Sequence, residues 1–242
     1  MTARDAAVTP AETVRLFHDQ TSHGEGHDRS RLIAFRPLDP TNRPEPFKRY
    51  PGLPNEALPR DLVDPLGRLL FLTAGVTRVS SHSYFRAAMS AGNLHPVEVY
   101  VVGDDLSVRH YAPLEHGLTT LRPGGGRAAT IALTGIPWRT CWKYGERGWR
   151  HLYWDAGAMA ANLLALAPDA RVTVDFDDEA LCRLLGVDGT SEVPLAVVML
   201  GAAQPTPVPP DLPPLDLEVA PVSPRPSGSL WSPRFSGRPP RG

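Results

Sequence analysis

The stretch WRTCWKYGERGWRHLYWDAG, residues 138–157, places a lysine beside a tyrosine, Lys143 and Tyr144. Only two of the 25 basic residues of the chain are lysines. Four tryptophans surround the pair in the sequence: Trp138, Trp142, Trp149 and Trp154. A lysine that is enclosed by aromatic rings loses hydration, which lowers its pKa and lets it act as a base near neutral pH. The alternative is that the tryptophans belong to the core and Lys143 extends to solvent, and the sequence leaves both open.

A second candidate site is the loop in FRAAMSAGNLHPVEVYVV, residues 85–102. Ser90, Ala91, Gly92 and Asn93 are small or amide residues in series. Small side chains let a flat ligand approach the backbone, glycine tolerates positive φ, and Ser and Asn can form hydrogen bonds with its polar edge. No Gly-Lys-Ser/Thr follows, so the loop is not a phosphate-binding P-loop. Taken alone, it also fits an ordinary turn before a strand.

Histidines and cysteines give no metal pattern. His18, His23 and His27 lie close together, but no fourth ligand follows at a familiar spacing, which favours a solvated loop over a metal site. Cys141 and Cys182 match neither a metal nor a disulfide pattern. We therefore expect no metal and a reduced, cytoplasmic protein.

Length and charge exclude several functional classes. The 242 residues suit one domain with an appendage or two small domains, and 42% hydrophobic residues are enough for a core. The net charge of -1 and the pI of about 6.7 argue against nucleic-acid binding. No apolar run reaches the roughly 18 residues of a membrane span, and no signal peptide opens the chain, so we expect no membrane partner.

Hydrophobic periodicity predicts three helices and four strands. The helices are predicted over 61–76, over 155–168 with Asp155 as N-cap and Pro168 as stop, and over 178–189 with Gly186 as terminator. The strands are predicted over 95–105, 106–113, 128–136 and 193–201. The last strand is almost entirely apolar and should be central in the sheet.

Composition divides the chain into three segments. Residues 1–60 are rich in proline and predicted to be irregular, and residues 61–203 form the folded core. Residues 204–242 are predicted to be a Pro-rich extended arm or linker, with a low-complexity, disordered end.

In combination, the motifs resemble a known group. RAAMSAGNLHPVEVYVV, HYAPLEHGL, WRTCWKYGERGWRHLYWDAGAMAANLLALA and LLGVDGTSEVPLAVVMLG occur in the order typical of SagB/ThcOx-type dehydrogenases of the nitroreductase superfamily. The resemblance covers roughly residues 10 to 220. Its most specific parts are the SAGN-LHP loop and the Lys-Tyr stretch, because generic nitroreductases lack the Lys-Tyr pair.

The resemblance implies a fold and a chemistry. It implies an α+β nitroreductase-like fold, with a central, mostly antiparallel sheet flanked by helices, that binds FMN between two nitroreductase units. Members oxidise azoline rings of peptide-derived substrates, and oxygen reoxidises the flavin. By this resemblance Ser90, Ala91, Gly92 and Asn93 contact the flavin, with Arg86 and Arg139 nearby, and Lys143 and Tyr144 are catalytic. The Arg-rich stretch that binds flavin phosphate in many members is replaced here by FKRYPGLP (47–54), with Lys48 and Arg49 as weak substitutes.

The same resemblance implies partners. We expect a homodimer or pairing with a second nitroreductase-like unit, which the 204–226 segment is suited to reach, and possibly a cyclodehydratase. Two alternative functions stay open: a generic NAD(P)H-dependent flavin reductase of nitro compounds or quinones, and a non-catalytic partner subunit. A base such as Lys143 favours the dehydrogenase, since hydride transfer from NAD(P)H needs none.

Overall fold

The structure, a computed structural model, describes residues 9–22, 37–81, 83–204 and 206–224. Its centre is a seven-stranded sheet in the order β1-β6-β5-β4-β7-β9-β8, and every neighbouring pair in it is antiparallel. The strands are β1 Asn55–Ala57, β4 Val97–Gly103, β5 Val108–Ala112, β6 Gly117–Arg122, β7 Ala128–Gly135, β8 Arg171–Thr173 and β9 Val193–Met199. A separate hairpin pairs β2 Val76–Ser80 with β3 Ser83–Arg86. The predicted α+β fold with an antiparallel central sheet is confirmed.

Helices cover the sheet on both faces. The helices are α1 Pro10–Thr21, α2 Pro65–Ala74, α3 Pro137–Tyr144, α4 Gly148–Leu166 and α5 Asp178–Leu185. Alternation along β4 divides its side chains, because Val97, Val99 and Val101 join the core beneath α2 and α4, whereas Tyr100 and Val102 join the core beneath α5. The central strands are therefore buried on both faces, as their near-continuous apolar sequence predicts.

The four predicted strands appear as β4, β5, β7 and β9, and the predicted helices as α2, α4 and α5. The start of α4 was wrong: the helix begins at Gly148, and Asp155 lies in its interior, where it cannot be an N-cap. The aromatic residues before Asp155 hid the helical period, because they face both the core and solvent.

The N-terminal 60 residues are less irregular than predicted. Thr9 accepts a hydrogen bond from the Glu12 amide while the Glu12 carboxylate accepts from the Thr9 amide, which forms a capping box at the start of α1. Thr9 and Glu12 stand three residues apart with Pro10 at the first helical position, so the sequence already contained this signal. Strand β1 is a second regular element of this segment.

Residues 206–224 of the Pro-rich arm form neither helix nor strand, and they lie on their own chain. Leu212, Leu215 and Leu217 are among its residues that pack on the core beneath α5. Near its end, Ser223 accepts a hydrogen bond from the indole of Trp138. In the single chain the leucines of the arm thus contribute to the core beneath α5, and the reach of the 204–226 segment towards a second unit stays a prediction. The division into three segments stays a prediction.

None of the described helices combines the length and the apolar character that crossing a bilayer requires.

Candidate active site

The two sequence motifs meet at Gly92. A Cβ atom at this residue would lie 2.5 Å from Tyr144 Oη and 3.0 Å from Lys143 Nζ. About fifty residues separate the SAGN loop from the Lys-Tyr pair along the chain, yet the fold brings them into contact. Gly92 has φ of 62° and is exposed. The two motifs that the sequence singled out, the SAGN loop and the Lys-Tyr pair, therefore form one surface.

Helix α4 holds the SAGN loop from behind through Asp155. The Ser90 hydroxyl donates to Asp155 Oδ2 at 2.5 Å, and the Ala91 amide donates to Oδ1 at 3.0 Å. Ser90 Oγ also accepts from the His95 amide at 2.8 Å, which joins the two ends of the loop. Burial raises the pKa of Asp155, and both donors oppose that shift by favouring its charged form. Sequence reasoning missed this role of Asp155, because its partners are distant along the chain.

Arg86 and Arg139, predicted near the flavin, are buried under the loop. Arg139 donates to the carbonyls of Glu45 and His95 and forms a short ion pair with Glu98. Arg86 donates to the carbonyls of Pro46 and Val97. Both guanidinium groups are thus engaged by their own chain, and a direct contact with a cofactor stays a prediction.

Glu98 is the counter-charge of this cluster. It lies on β4, 1% exposed, and also bonds His110 Nε2 at 2.8 Å. Burial alone would raise the pKa of Glu98, but Arg139 and His110 outweigh it and hold the pKa well below its ordinary value. Next to it, burial and the charge of Arg86 lower the pKa of His95 to about 4. The cluster therefore keeps Glu98 ionised and His95 neutral at neutral pH.

Helix α3 presents the Lys-Tyr pair. It begins at Pro137 and ends at Tyr144, with Gly145 at φ of 57° as its cap. Lys143 Nζ lies 5.3 Å from the centroid of the Tyr144 ring. The Tyr144 ring packs on His151 at 4.2 Å between centroids. The pKa of His151 is lowered by its burial and by the charges of neighbouring arginines.

Of the two surroundings of Lys143 that the sequence left open, the structure favours the second, because Lys143 is exposed. Each of the four tryptophans has other surroundings. The Trp138 indole donates to Ser223, and the Trp142 indole to the Asp39 carbonyl. Trp149 packs against the core beneath α2 and α4, and Trp154 is 54% exposed. The alternative with core tryptophans and a solvent-exposed lysine is thus favoured in part. Trp138, Trp142 and Trp149 contact other parts of the fold, and Lys143 extends to solvent.

Exposed apolar residues lie beside this surface. Met89, next to the loop, is 80% exposed, and Tyr153 is 40% exposed like its neighbour Trp154 on α4. Large apolar side chains next to a candidate site are typical of a surface that a partner or ligand covers.

Lys48, the substitute for the phosphate-binding arginines, is not available to a ligand. It is 7% exposed and forms an ion pair with Glu192 at 2.6 Å, and it donates to Tyr100 Oη at 2.8 Å. Burial alone would lower the pKa of Lys48, but Glu192 outweighs it, and the pKa is raised. Arg49 is largely exposed, 3.5 Å from Glu115. The charge of Lys48 is therefore used inside the core, which argues against Lys48 as the substitute for the phosphate-binding arginines.

Of the three clustered histidines, His18 alone lies within the described residues. His18 is exposed near Arg150, whereas His23 and His27 lie outside the described residues. Among the residues that the structure does describe, no cluster of three metal-binding side chains occurs. Cys141 and Cys182 are both free thiols.

The fold and the site together define an α+β protein in which the SAGN loop and the Lys-Tyr pair lie side by side next to an antiparallel sheet. The nitroreductase family profile matches residues 55–202, more than half of the chain. The chain belongs to the nitroreductase family. No curated protein matches this sequence.

Two solved structures are similar to the chain. A protein of Anabaena variabilis assigned as a nitroreductase is 26% identical, with a TM-score of 0.64, and the match covers 77% of this chain and 45% of that one. The chain thus spans less than half the length of that relative. The Escherichia coli microcin synthetase complex McbBCD, with truncated pro-MccB17 bound, matches at 18% identity and a TM-score of 0.51, over 84% of this chain and 85% of that one. This second likeness shows the fold alone.

Proposed function

We propose that this protein is an FMN-dependent dehydrogenase of the SagB/ThcOx type that oxidises an azoline ring or a related bond in a peptide-derived substrate. The observation that carries the proposal is the contact of Gly92 with Lys143 Nζ and Tyr144 Oη. This contact places the only exposed lysine among the described residues beside the loop of small residues that would hold a flat ligand.

The loop fits a flavin ring. A Cβ at Gly92 would lie 2.5 Å from Tyr144 Oη and 3.0 Å from Lys143 Nζ, so glycine at this position is what lets the Lys-Tyr pair approach the loop. Asp155 engages Ser90 and the Ala91 amide from behind, which leaves the outer edge of the loop, with Gly92 and Asn93, for a ligand. Arg86 and Arg139 act on the loop indirectly, through the carbonyls of Val97 and His95, which follow it in the chain. Bound FMN would supply the hydride acceptor for the oxidation.

The part of this chain in the reaction is the removal of a proton. A neutral Lys143 Nζ takes the proton from the substrate atom next to the one that loses hydride, and becomes an ammonium group. Tyr144 Oη donates a hydrogen bond that orients the substrate or stabilises developing negative charge. The Tyr144 ring is fixed for this task by its contact with His151.

Lys143 is exposed in the single chain, whereas removing water from around a lysine favours the neutral amine that a base requires. A second nitroreductase-like unit on the exposed face with Met89 and Trp154 would remove this water. We therefore propose a homodimer or a pair with a related subunit as the active form. A cyclodehydratase that supplies the azoline is a further proposed partner, and the cytoplasm the proposed location.

One observation favours a second candidate function. Lys143 is exposed in the single chain, and a generic NAD(P)H-dependent flavin reductase needs no base at this position. Such an enzyme would reduce its flavin with NAD(P)H and would not respond to loss of the lysine.

Lys143→Arg tests the proposal. Arginine keeps the positive charge but does not release its proton, so we expect flavin to stay bound while substrate oxidation falls by about 10²- to 10⁴-fold. The measurement is anaerobic single-turnover bleaching of the flavin by a thiazoline- or oxazoline-containing peptide, with flavin content checked by absorbance. Tyr144→Phe is the matched variant and should lose less. Parent-like bleaching by the Arg variant would remove the base role, and bleaching by NADH alone would favour the second candidate.

A further inference from the structure

Asp155 is a buried carboxylate that the proposed reaction does not use. It lies inside α4 and is 4% exposed. Among the described residues, no basic side chain forms an ion pair with it. Burying a charged carboxylate is costly unless its oxygens accept hydrogen bonds, and here both accept from the SAGN loop. Both hydrogen bonds that offset the desolvation of this carboxylate come from one loop, so the function of Asp155 lies in holding that loop.

The loop needs support, because its backbone is strained. His95 has φ of 48°, a conformation that residues other than glycine and asparagine rarely adopt, and it follows Asn93, whose φ is 58°. The Ser90 hydroxyl accepts a hydrogen bond from the His95 amide and donates one to Asp155. Its oxygen therefore joins the two ends of the strained segment and links them to α4. Without this bond the segment could relax towards ordinary backbone angles.

We propose that Asp155, as a carboxylate, is a positioning residue that holds the SAGN loop in its FMN-binding shape and against Lys143 and Tyr144. The proposal rests on the proposed function, since it assigns the loop to FMN. It requires the carboxylate because both Ser90 and the Ala91 amide are donors. An asparagine that accepts from the Ala91 amide turns its amide nitrogen, a donor, towards Ser90, so the Ser90 hydroxyl loses the charged acceptor of its own proton.

Asp155→Asn tests the clamp without depending on turnover. The first measurement is the dissociation constant of FMN for the apoprotein, from quenching of flavin fluorescence. Losing one charge-assisted hydrogen bond should raise this constant roughly 10- to 100-fold. The second measurement is hydrogen–deuterium exchange of the amides at 91–95 in the apoprotein, which should become faster.

Asn162→Ala is the matched control. Asn162 also lies on α4, but its side chain donates to the Leu72 carbonyl and not to the loop. We expect its FMN constant and its loop exchange to remain those of the parent. Ser90→Ala should weaken FMN binding by itself and should add little in the Asp155→Asn background, because both changes break the same link.

The outcomes are separable. FMN affinity and loop exchange equal to the parent in Asp155→Asn would overturn the clamp, as would faster exchange with unchanged affinity. A merely structural carboxylate would lower the melting temperature without changing affinity. If the parent itself binds no FMN, the proposed function fails, and loop exchange alone decides whether Asp155 shapes the loop. Should Asp155→Asn not fold, Ser90→Ala gives the same two measurements.

Discussion

Replacing Gly92 by alanine should disrupt the contact between the loop and the Lys-Tyr pair. The new Cβ would meet Tyr144 Oη at 2.5 Å, so this oxygen must move by about 0.5 Å before the separation reaches 3.0 Å. The Lys143 side chain lies at 3.0 Å and must also adjust. A displacement of about 1 Å in an active site can cost on the order of 10²-fold in rate. We therefore expect a loss of about 10- to 100-fold in flavin reduction by substrate.

Alanine also carries a backbone penalty that must be separated from this effect. Gly92 has φ of 62°, and a non-glycine residue there costs roughly 1–2 kcal/mol. Gly201→Ala is the matched control, since Gly201 has φ of 61° and a Cβ there would meet nothing within 4 Å. The backbone penalty should lower the melting temperature of both variants by the same amount, about 2–4 °C per kcal/mol for a chain of this size. Only Gly92→Ala should also lose activity.

The assay is anaerobic single-turnover reduction of the flavin, with FMN affinity measured in parallel. The clash should also weaken FMN binding by Gly92→Ala. Adding Tyr144→Phe removes the oxygen that clashes, so this double variant should recover part of that affinity. The reasoning is refuted if Gly92→Ala and Gly201→Ala show the same rate and the same FMN affinity. The loop and the pair would then be neighbours that do not form one site.

Two further predictions concern the buried charges. Glu192→Gln leaves Lys48 buried without its counter-charge, so we expect the free energy of unfolding, measured with urea, to fall by about 3–5 kcal/mol. Adding Lys48→Met should recover most of this loss. A loss below about 1 kcal/mol would show the ion pair to be solvated. His95 has its pKa lowered to about 4 by burial and Arg86, so between about pH 6.5 and 4 the folded chain binds fewer protons than the unfolded chain, and stability falls as the pH falls. His95→Asn removes this titration, and asparagine tolerates the φ of 48°. The difference in unfolding free energy between about pH 7 and about pH 4.5 should therefore shrink, and an unchanged difference would assign the dependence to other groups.

The sequence by itself determined the elements whose pattern is local. Strand β4 was predicted because Val97, Val99 and Val101 alternate, and α5 because its apolar residues recur at helical spacing before Gly186. It also singled out the SAGN loop and the Lys-Tyr pair, because small residues in series and a rare lysine are visible without coordinates. Helix α1 was predictable as well, from the spacing of Thr9 and Glu12.

Only the tertiary structure decided which distant residues meet. Three contacts join residues that are far apart along the chain, and no local pattern encodes such separations. They are Gly92 with Tyr144 (52 positions), Ser90 with Asp155 (65 positions) and Lys48 with Glu192 (144 positions). Burial is decided in the same way, because the exposed fraction of a side chain depends on what the rest of the chain places above it. For this reason the tryptophans near Lys143 in sequence do not enclose it in space, while Lys48, with no signal in its surroundings, lies in the core.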